Sequence, residues 1–292
     1  MAIQTGDVAV VTGAASGIGL GLAHRFAERG LRLVVSDVEV LALEKAAESL
    51  RQGGSEVIAV PCDVSRLDDV RALATATLDR FGQVDVICNN AGVFGGLAPM
   101  WELDHTTWEW TVRVNFWGVV HGIEVFVPML VEQDRGHVIN TASQAGVSSP
   151  AFNGPYNATK HAVVALSETL KAELDAFAPG VGVSVICPSA VETRVQDAAR
   201  NRPADLRPPG GSDGTVLLTA TQPSERDSKI IAAATAARSG LPSEIWEPYD
   251  FAGRALEAID AGHLWVAPGR VVLRAARQRA ESLLRDLGSE PV

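Results

Sequence analysis

Only two tyrosines and four lysines occur in this chain of 292 residues, and one of each stands four apart in Tyr156-Asn157-Ala158-Thr159-Lys160. On a helix that spacing puts both side chains on one face, where an ammonium favours the phenolate form of a neighbouring phenol. A phenol tuned in this way can give a proton to a carbonyl oxygen or take one from a carbinol. A second group with chemical meaning is Thr12-Gly13-Ala14-Ala15-Ser16-Gly17-Ile18-Gly19. Between a strand and a helix, Gly13, Gly17 and Gly19 let the chain turn sharply, let a pyrophosphate approach the backbone and let helix and strand pack closely. The helix N-terminus then offers unpaired N–H groups and a positive dipole end to phosphate, with Ser16 and Ile18 in the same loop. Asp37 stands 24 residues beyond Gly13, where a carboxylate accepts from the adenosine ribose hydroxyls and repels a 2′-phosphate. No basic residue occupies position 16 or 38, so the expected dinucleotide is NAD rather than NADP. The other reading of Asp37 is a solvated turn carboxylate.

The elements that must hold these groups show in the alternation of short Val/Ile/Leu runs with stretches of helical spacing. Strands are expected at Asp7 to Thr12, Leu31 to Ser36, Glu56 to Val60, Val84 to Cys88, His137 to Thr141, Val181 to Cys187 and His263 to Val266. They are continuously apolar, as in a parallel sheet covered on both faces, so the expected fold is α/β: a Rossmann-type doubly wound sheet of seven parallel strands with helices on both faces. Helical spacing falls at Ile18 to Arg29, Leu41 to Gln52, Leu67 to Arg80, His105 to Glu132, Asn157 to Phe177, Tyr249 to Ala261 and Arg270 to Leu287. Residues 188 to 245 break the rhythm with repeated Pro and Gly, which interrupt any long element. This stretch is expected to be a lid-like insertion within one domain spanning residues 1–292.

Composition bounds the function. Apolar residues make up 47% of the chain and charged residues 21%, enough for a large core, and the net charge of −10 repels a nucleic-acid backbone. The first strand-like run begins at Asp7, too soon for a signal peptide, and no eighteen apolar residues run together, so a cytoplasmic protein without a membrane span is expected. Cys62, Cys88 and Cys187 are widely spaced, without a metal-ligand pattern, and read as buried reduced thiols.

Taken together, the chain resembles the short-chain dehydrogenase/reductase family, in its branch of single-domain NAD(P)-dependent oxidoreductases. The likeness rests on Thr12 to Gly19, Asp63-Val64, Asn89-Asn90-Ala91-Gly92, Asn115, Ser143, and Tyr156 with Lys160, all in the family's order. The resemblance implies that Tyr156 is the general acid and base, and that Ser143 hydrogen-bonds the reacting oxygen. It also implies that Lys160 tunes Tyr156 and binds the nicotinamide ribose, and that Asn115 holds a proton-relay water through its carbonyl or side chain. Asp63 would accept from the adenine amino group and Val64 would donate its N–H, while Asn89, Ala91 and Gly92 would pass the adenosine ribose. For Asp63 the other reading is a helix cap. The segment Pro188-Ser189-Ala190-Val191-Glu192-Thr193 resembles the family's nicotinamide-carboxamide contact, with Ser189 in place of the usual Gly. Relatives commonly pair the helices equivalent to His105 to Glu132 and Asn157 to Phe177, so a homodimer or homotetramer is implied.

The substrate is expected over the nicotinamide, walled by Val93, Phe94, Gln144, Val147, Phe152, Asn153 and Trp246. Mostly apolar walls suit a hydrophobic, bulky or aromatic secondary alcohol or ketone better than a small hydroxy acid. Arg194, Arg200, Arg202 and Arg207 either meet a carboxylate there or are solvated loop residues. Asn201-Arg202-Pro203 and the long insertion resemble bacterial short-chain enzymes that oxidise benzylic alcohols of lignin-type aryl ethers, and polyketide, steroid or terpenoid ketones stay open because this fold hosts many substrates on one catalytic frame. Two other readings stay open: a dinucleotide sensor without turnover, which needs only the glycine loop and Asp37, and an epimerase or dehydratase, which usually needs a larger C-terminal domain.

Overall fold

All five residues of β1 (Val8–Thr12) are buried. Ala9 and Val11 join one apolar layer with Leu22, Phe26 and Phe251, and Val8 and Val10 join the other with Leu73, Phe126 and Leu174. A strand covered on both faces has no polar side to present, which is why its sequence does not alternate. The computed structural model describes residues 3–208, 215, 223–235 and 245–288. After β1 the chain runs through α1 (Gly17–Glu28), β2 (Arg32–Asp37), α2 (Val40–Gln52), β3 (Val57–Pro61), α3 (Leu67–Phe81) and β4 (Val86–Asn89). It continues with α4 (His105–Val112), α5 (Gly118–Glu132), β5 (Gly136–Thr141), α6 (Gly154–Phe177) and β6 (Val181–Ile186). The remaining elements are β7 (Ala190–Val191), α7 (Glu225–Thr235), β8 (Ile245–Trp246), α8 (Pro248–Asp260), β9 (Trp265–Val266) and α9 (Arg270–Leu287).

Seven strands form one parallel sheet in the order β3-β2-β1-β4-β5-β6-β9. The chain leaves β3 at one edge and returns at β4 beside β1, so the connections diverge at these two strands and a crevice opens at their carboxyl ends. Helices α1, α2 and α8 cover one face, and α3, α5 and α6 the other. The seven expected strands are all present, with ends shifted by at most two residues.

Three features differ from the sequence expectation. The helix expected from His105 to Glu132 is divided by a π turn at Arg113–Trp117. This whole run has the length and apolarity of a membrane span, yet Val119, Phe126 and Leu130 bury its apolar face under the sheet. Within the 188–245 insertion, β7 and β8 pair in parallel, Ala190 with Ile245 and Val191 with Trp246, so the excursion leaves and returns side by side. It also holds an eleven-residue helix, α7. Its Pro and Gly residues flank these eleven residues without entering them, and Glu225 and Asp227 favour the N-terminal turn through the helix dipole. The rest of the insertion, 209–214, 216–222 and 236–244, lies outside the described residues.

Candidate active site

The crevice at the carboxyl ends of β1 and β4 widens into a single cleft of about 850 Å³. At β5 the chain passes Thr141 and Ala142 and turns at Ser143 into a short 3-10 turn. Ser143 Oγ accepts from the Ala145 N–H at 3.1 Å, leaving its own proton for an acceptor in the cleft. Tyr156 and Lys160 lie on the first turns of α6, on the same face, and the Lys160 ammonium is 5.6 Å from the Tyr156 ring centroid. Lys160 is fully enclosed and donates to the Thr141 carbonyl at 2.8 Å; burial pulls its pKa from 10.5 down to about 8. Phe94 packs edge-on against the Tyr156 ring at 5.4 Å. Ser143, Tyr156 and Lys160 all line the cleft.

Asn115 sits inside the π turn, where a helix of regular pitch would not hold it in this place. It is wholly buried behind the cleft; its Oδ1 accepts from the Val93 N–H at 2.8 Å and its Nδ2 donates to the Val93 carbonyl at 2.9 Å and to Thr159 Oγ1 at 3.3 Å. Its side chain is therefore occupied in anchoring the β4 extension to α6. Its backbone carbonyl, the other candidate for holding a water, belongs to the same π turn.

The other half of the cleft has the shape of a dinucleotide cradle. Gly13 has φ +66°, and a Cβ there would stand 2.8 Å from the Ala91 Cα. Gly17 has φ +57° and lies so close to Thr193 that a Cβ would meet its methyl at 2.9 Å. Ser16 precedes α1 without capping it through its side chain, so the first-turn N–H groups face the cleft as an anion site. These are the demands of a pyrophosphate. Asp37 lines the cleft, its carboxylate accepting from the N–H groups of Ala15 at 3.1 Å and Glu39 at 3.0 Å. Asp63 lines it too and holds an Asx-type bond from the Ser65 N–H at 3.0 Å; the N-terminal position of the helix that follows is Arg66, which gives no side-chain cap, so Asp63 is not that helix's cap residue. Ile18, Val64, Ala91, Gly92, Pro188, Val191 and Thr193 also border the cleft.

Two expected contacts fall elsewhere. Asn89 is buried in the sheet, where its Nδ2 donates to Asn140 Oδ1 at 2.9 Å, while Asn90, Ala91 and Gly92 of that run reach the cleft. Gly19 is a packing glycine: a Cβ would lie 2.3 Å from the Gly13 carbonyl, and the residue does not line the cleft. Ser189, despite replacing the usual Gly, has no positive φ, so its Cβ introduces no strain.

The substrate end is walled by Val93, Phe94, Gln144 and Asn153 as expected, joined by Leu97, Trp110, Ala198 and Leu206. Val147, Phe152 and Trp246 do not border it: Val147 lies in the core under α6, Phe152 packs with Phe94, and Trp246, a residue of β8, packs against the core layer that holds Phe26 and Phe251. The loop arginines are not merely solvated. Arg202 is 5% exposed, donates to the Leu206 carbonyl at 2.6 Å, to Thr106 Oγ1 at 2.8 Å and to Thr107 Oγ1 at 3.0 Å, and lies over the Trp110 ring. Arg200 and Arg194 converge on Glu39, a residue that sequence reasoning passed over. Its only sequence signal is an acid two places after Asp37, with the pairing arginines more than 150 residues away.

The cysteines are free and buried. Burial pushes the thiols of Cys62 and Cys187 up to about 12 and that of Cys88 upward as well, so none supplies a thiolate near neutral pH. Among the described residues no His, Cys, Asp or Glu cluster is arranged to hold a metal.

Comparison with known proteins agrees with this geometry. The sequence matches the short chain dehydrogenase family over residues 7–204. It is 40% identical over 222 residues to the 1-deoxy-11-beta-hydroxypentalenate dehydrogenase of Streptomyces exfoliatus, covering 75% of this chain and 77% of that protein. It is 33% identical over 249 residues to 3beta-hydroxysteroid dehydrogenase 2 of Eggerthella lenta, covering 83% and 86%. A short chain dehydrogenase/reductase from Burkholderia phymatum, solved in complex with NAD, matches with a TM-score of 0.86 at 38% identity over 100% of this chain and 99% of that one. With the glycine cradle, Ser143, Tyr156 and Lys160 gathered at one crevice, the chain belongs to the short-chain dehydrogenase/reductase family and is an oxidoreductase acting on CH–OH groups.

Proposed function

We propose that the protein is an NAD-dependent oxidoreductase that interconverts a hydrophobic secondary alcohol, aromatic substrates included, and its ketone. The observation that carries this reading is the convergence of Ser143, Tyr156 and buried Lys160 at the apolar end of a cleft whose other end is the glycine cradle and Asp37. NAD, when bound, supplies the hydride acceptor for oxidation and, in reduced form, the donor for reduction.

The residues do the rest. Asp37 takes the adenosine ribose hydroxyls, and the first turn of α1 with the Gly13 loop takes the pyrophosphate. Lys160, held by Thr141, fixes the nicotinamide ribose and favours the phenolate of Tyr156. In oxidation Tyr156 takes the carbinol proton as the hydride leaves the carbon; in reduction it returns that proton to the oxygen. Ser143 donates to the same oxygen while negative charge develops on it. Val93, Phe94, Leu97, Trp110, Ala198 and Leu206 exclude water around the substrate body, the last two from the excursion after residue 188, which serves as the lid. The names of the two relatives, each a dehydrogenase of a hydroxylated compound, support this substrate class.

The cofactor assignment is tested by titrating wild type and Asp37→Ala with NADH and NADPH in a calorimeter. Wild type is expected to bind NADH more tightly. In the variant the NADH affinity falls roughly tenfold or more, the worth of a hydrogen bond to a charged group, and the preference over NADPH narrows. An unchanged ratio would move the ribose contact away from Asp37.

A further inference from the structure

Glu39 plays no part in the chemistry above, yet it gathers more partners than any other carboxylate at the cleft. Its backbone N–H donates to Asp37 Oδ1 at 3.0 Å, which fixes it beside the adenosine ribose site. Its Oε1 accepts from Arg200 Nη2, from Arg200 Nε at 3.1 Å and from Asn201 Nδ2 at 3.0 Å, and its Oε2 faces Arg194 Nη1 at 3.6 Å. Asp37, Glu39, Arg194, Arg200 and Asn201 all line the same cleft. Arg200 is further held by the Arg194 and Asp197 carbonyls, and the Arg200 hydrogen bond keeps the Glu39 carboxyl below the usual carboxylate range. Two guanidiniums thus stand at the adenosine end of the cleft, paired with the half-buried Glu39 carboxylate and, more loosely at 3.7 Å each, with the exposed Asp197 carboxylate.

Guanidinium is the side-chain group best suited to a phosphate. Without Glu39, a pair of them beside Asp37 would offset that residue's repulsion and offer a seat to a 2′-phosphate. We propose that Glu39 is a specificity-determining residue: by neutralising and holding Arg194 and Arg200 it withholds them from the 2′-phosphate of NADP, and so enforces the NAD preference that Asp37 begins. This rests on the reading of Asp37 as the ribose ligand of an NAD-dependent oxidoreductase.

The alternative is that the cluster only straps the turn at 195–201 over the cleft. A strap would affect both cofactors alike, whereas a specificity residue changes their ratio. The test compares wild type, Glu39→Asp, Glu39→Gln and the triple variant Glu39→Gln/Arg194→Gln/Arg200→Gln. Each is titrated with 2′-AMP and 5′-AMP by calorimetry, and its kcat/KM is measured with NADPH and NADH. The expected result is a rise of about tenfold in both ratios for Glu39→Gln, the scale of one charge removed near a second one at partial exposure. Glu39→Asp, which keeps the charge, should behave as wild type, and the triple variant should lose the gain. Equal weakening of both nucleotides in Glu39→Gln would overturn the proposal, as would a gain that survives removal of the two arginines. Wild type that already prefers 2′-AMP and NADPH would overturn it too, while leaving the oxidoreductase reading intact. Failure to bind or use either dinucleotide would instead fell the underlying reading.

Discussion

Lys160 is retained at a cost to the fold. Burial takes its pKa from 10.5 to about 8, a penalty on the charged form of roughly 3 kcal/mol. The folded state binds its proton less tightly than the unfolded state. The penalty is therefore fully present below pH 8 and is relieved as pH rises from 8 towards 10.5. Lys160→Met removes the charge and forfeits the charge-assisted bond to Thr141, worth about 1.5–3 kcal/mol. The variant should unfold at the same or a higher temperature than wild type at pH 7 while losing turnover, and its advantage should shrink above pH 8. A lower melting temperature at pH 7 would mean the charge is not penalised as described. Lys160 and its partner Tyr156 were legible in the sequence because their relation is local, four residues on one helix. The glycine loop was legible for the same reason, and Asp37 because the length of a βαβ unit sets an acid at the end of β2. Glu39 was not, because its significance comes from Arg194 and Arg200, which only the fold brings to it. Asn89 and Asn90 were adjacent in an expected motif, but Asn89 ends β4 and turns its side chain to Asn140, whereas Asn90 lies beyond the strand and borders the cleft.

At the scale of elements, β5 and β6 carry a second buried titratable group. His137 is 5% exposed and its Nε2 lies 2.9 Å from Ser184 Oγ. Because Ser184 donates its own proton to the His263 carbonyl at 2.8 Å, it must accept from His137, which leaves the unprotonated Nδ1 facing Gly182 without a partner. Burial lowers the His137 pKa from 6.5 to about 4. Between those values the unfolded chain binds more protons, so stability falls as pH drops from 6.5 to 4, by up to roughly 3 kcal/mol. His137→Leu should flatten that decline in urea unfolding measured at pH 7 and pH 5; a slope equal to wild type would place the acid sensitivity elsewhere. Strand identity was readable because each strand is a continuous apolar run between turn residues. The π turn was not, since nothing in Arg113 to Trp117 distinguishes it from regular helix; it is imposed by the bonds Asn115 makes to Val93 and Thr159. Helix α7 was missed because Pro and Gly density was read over the whole insertion, while the residues that decide a helix are the eleven between the breakers.

The molecule as a whole divides function and stability between the two ends of its sheet. The residues proposed for catalysis and cofactor binding gather at the carboxyl ends of the strands. At the other end, ahead of β1, β4 and β5, Arg135 bridges Asp7 and Asp85, whose side chains are 8% and 2% exposed. Asp85 also accepts from the Val8 N–H at 2.8 Å and from Gln83 Nε2 at 2.7 Å, so it fastens three segments at once. Arg135→Met strands two buried carboxylates and should lower unfolding free energy by about 3–5 kcal/mol. Activity per folded molecule should stay near wild type; a matching loss of kcat would show that the two ends are coupled. The fold's class follows from the βαβ rhythm, whereas the contents of the 188–245 insertion depend on pairings across long stretches of chain. The central claim is that Tyr156 carries the proton in an NAD-dependent carbonyl reduction. It is tested most directly by following the consumption of NADH with hydrophobic ketones, for wild type and Tyr156→Phe, with NADH binding measured in both. The account predicts turnover by wild type, a fall of about a thousandfold in kcat for the variant, and NADH affinity within a few-fold. A Tyr156→Phe protein that turns over as wild type does would contradict it.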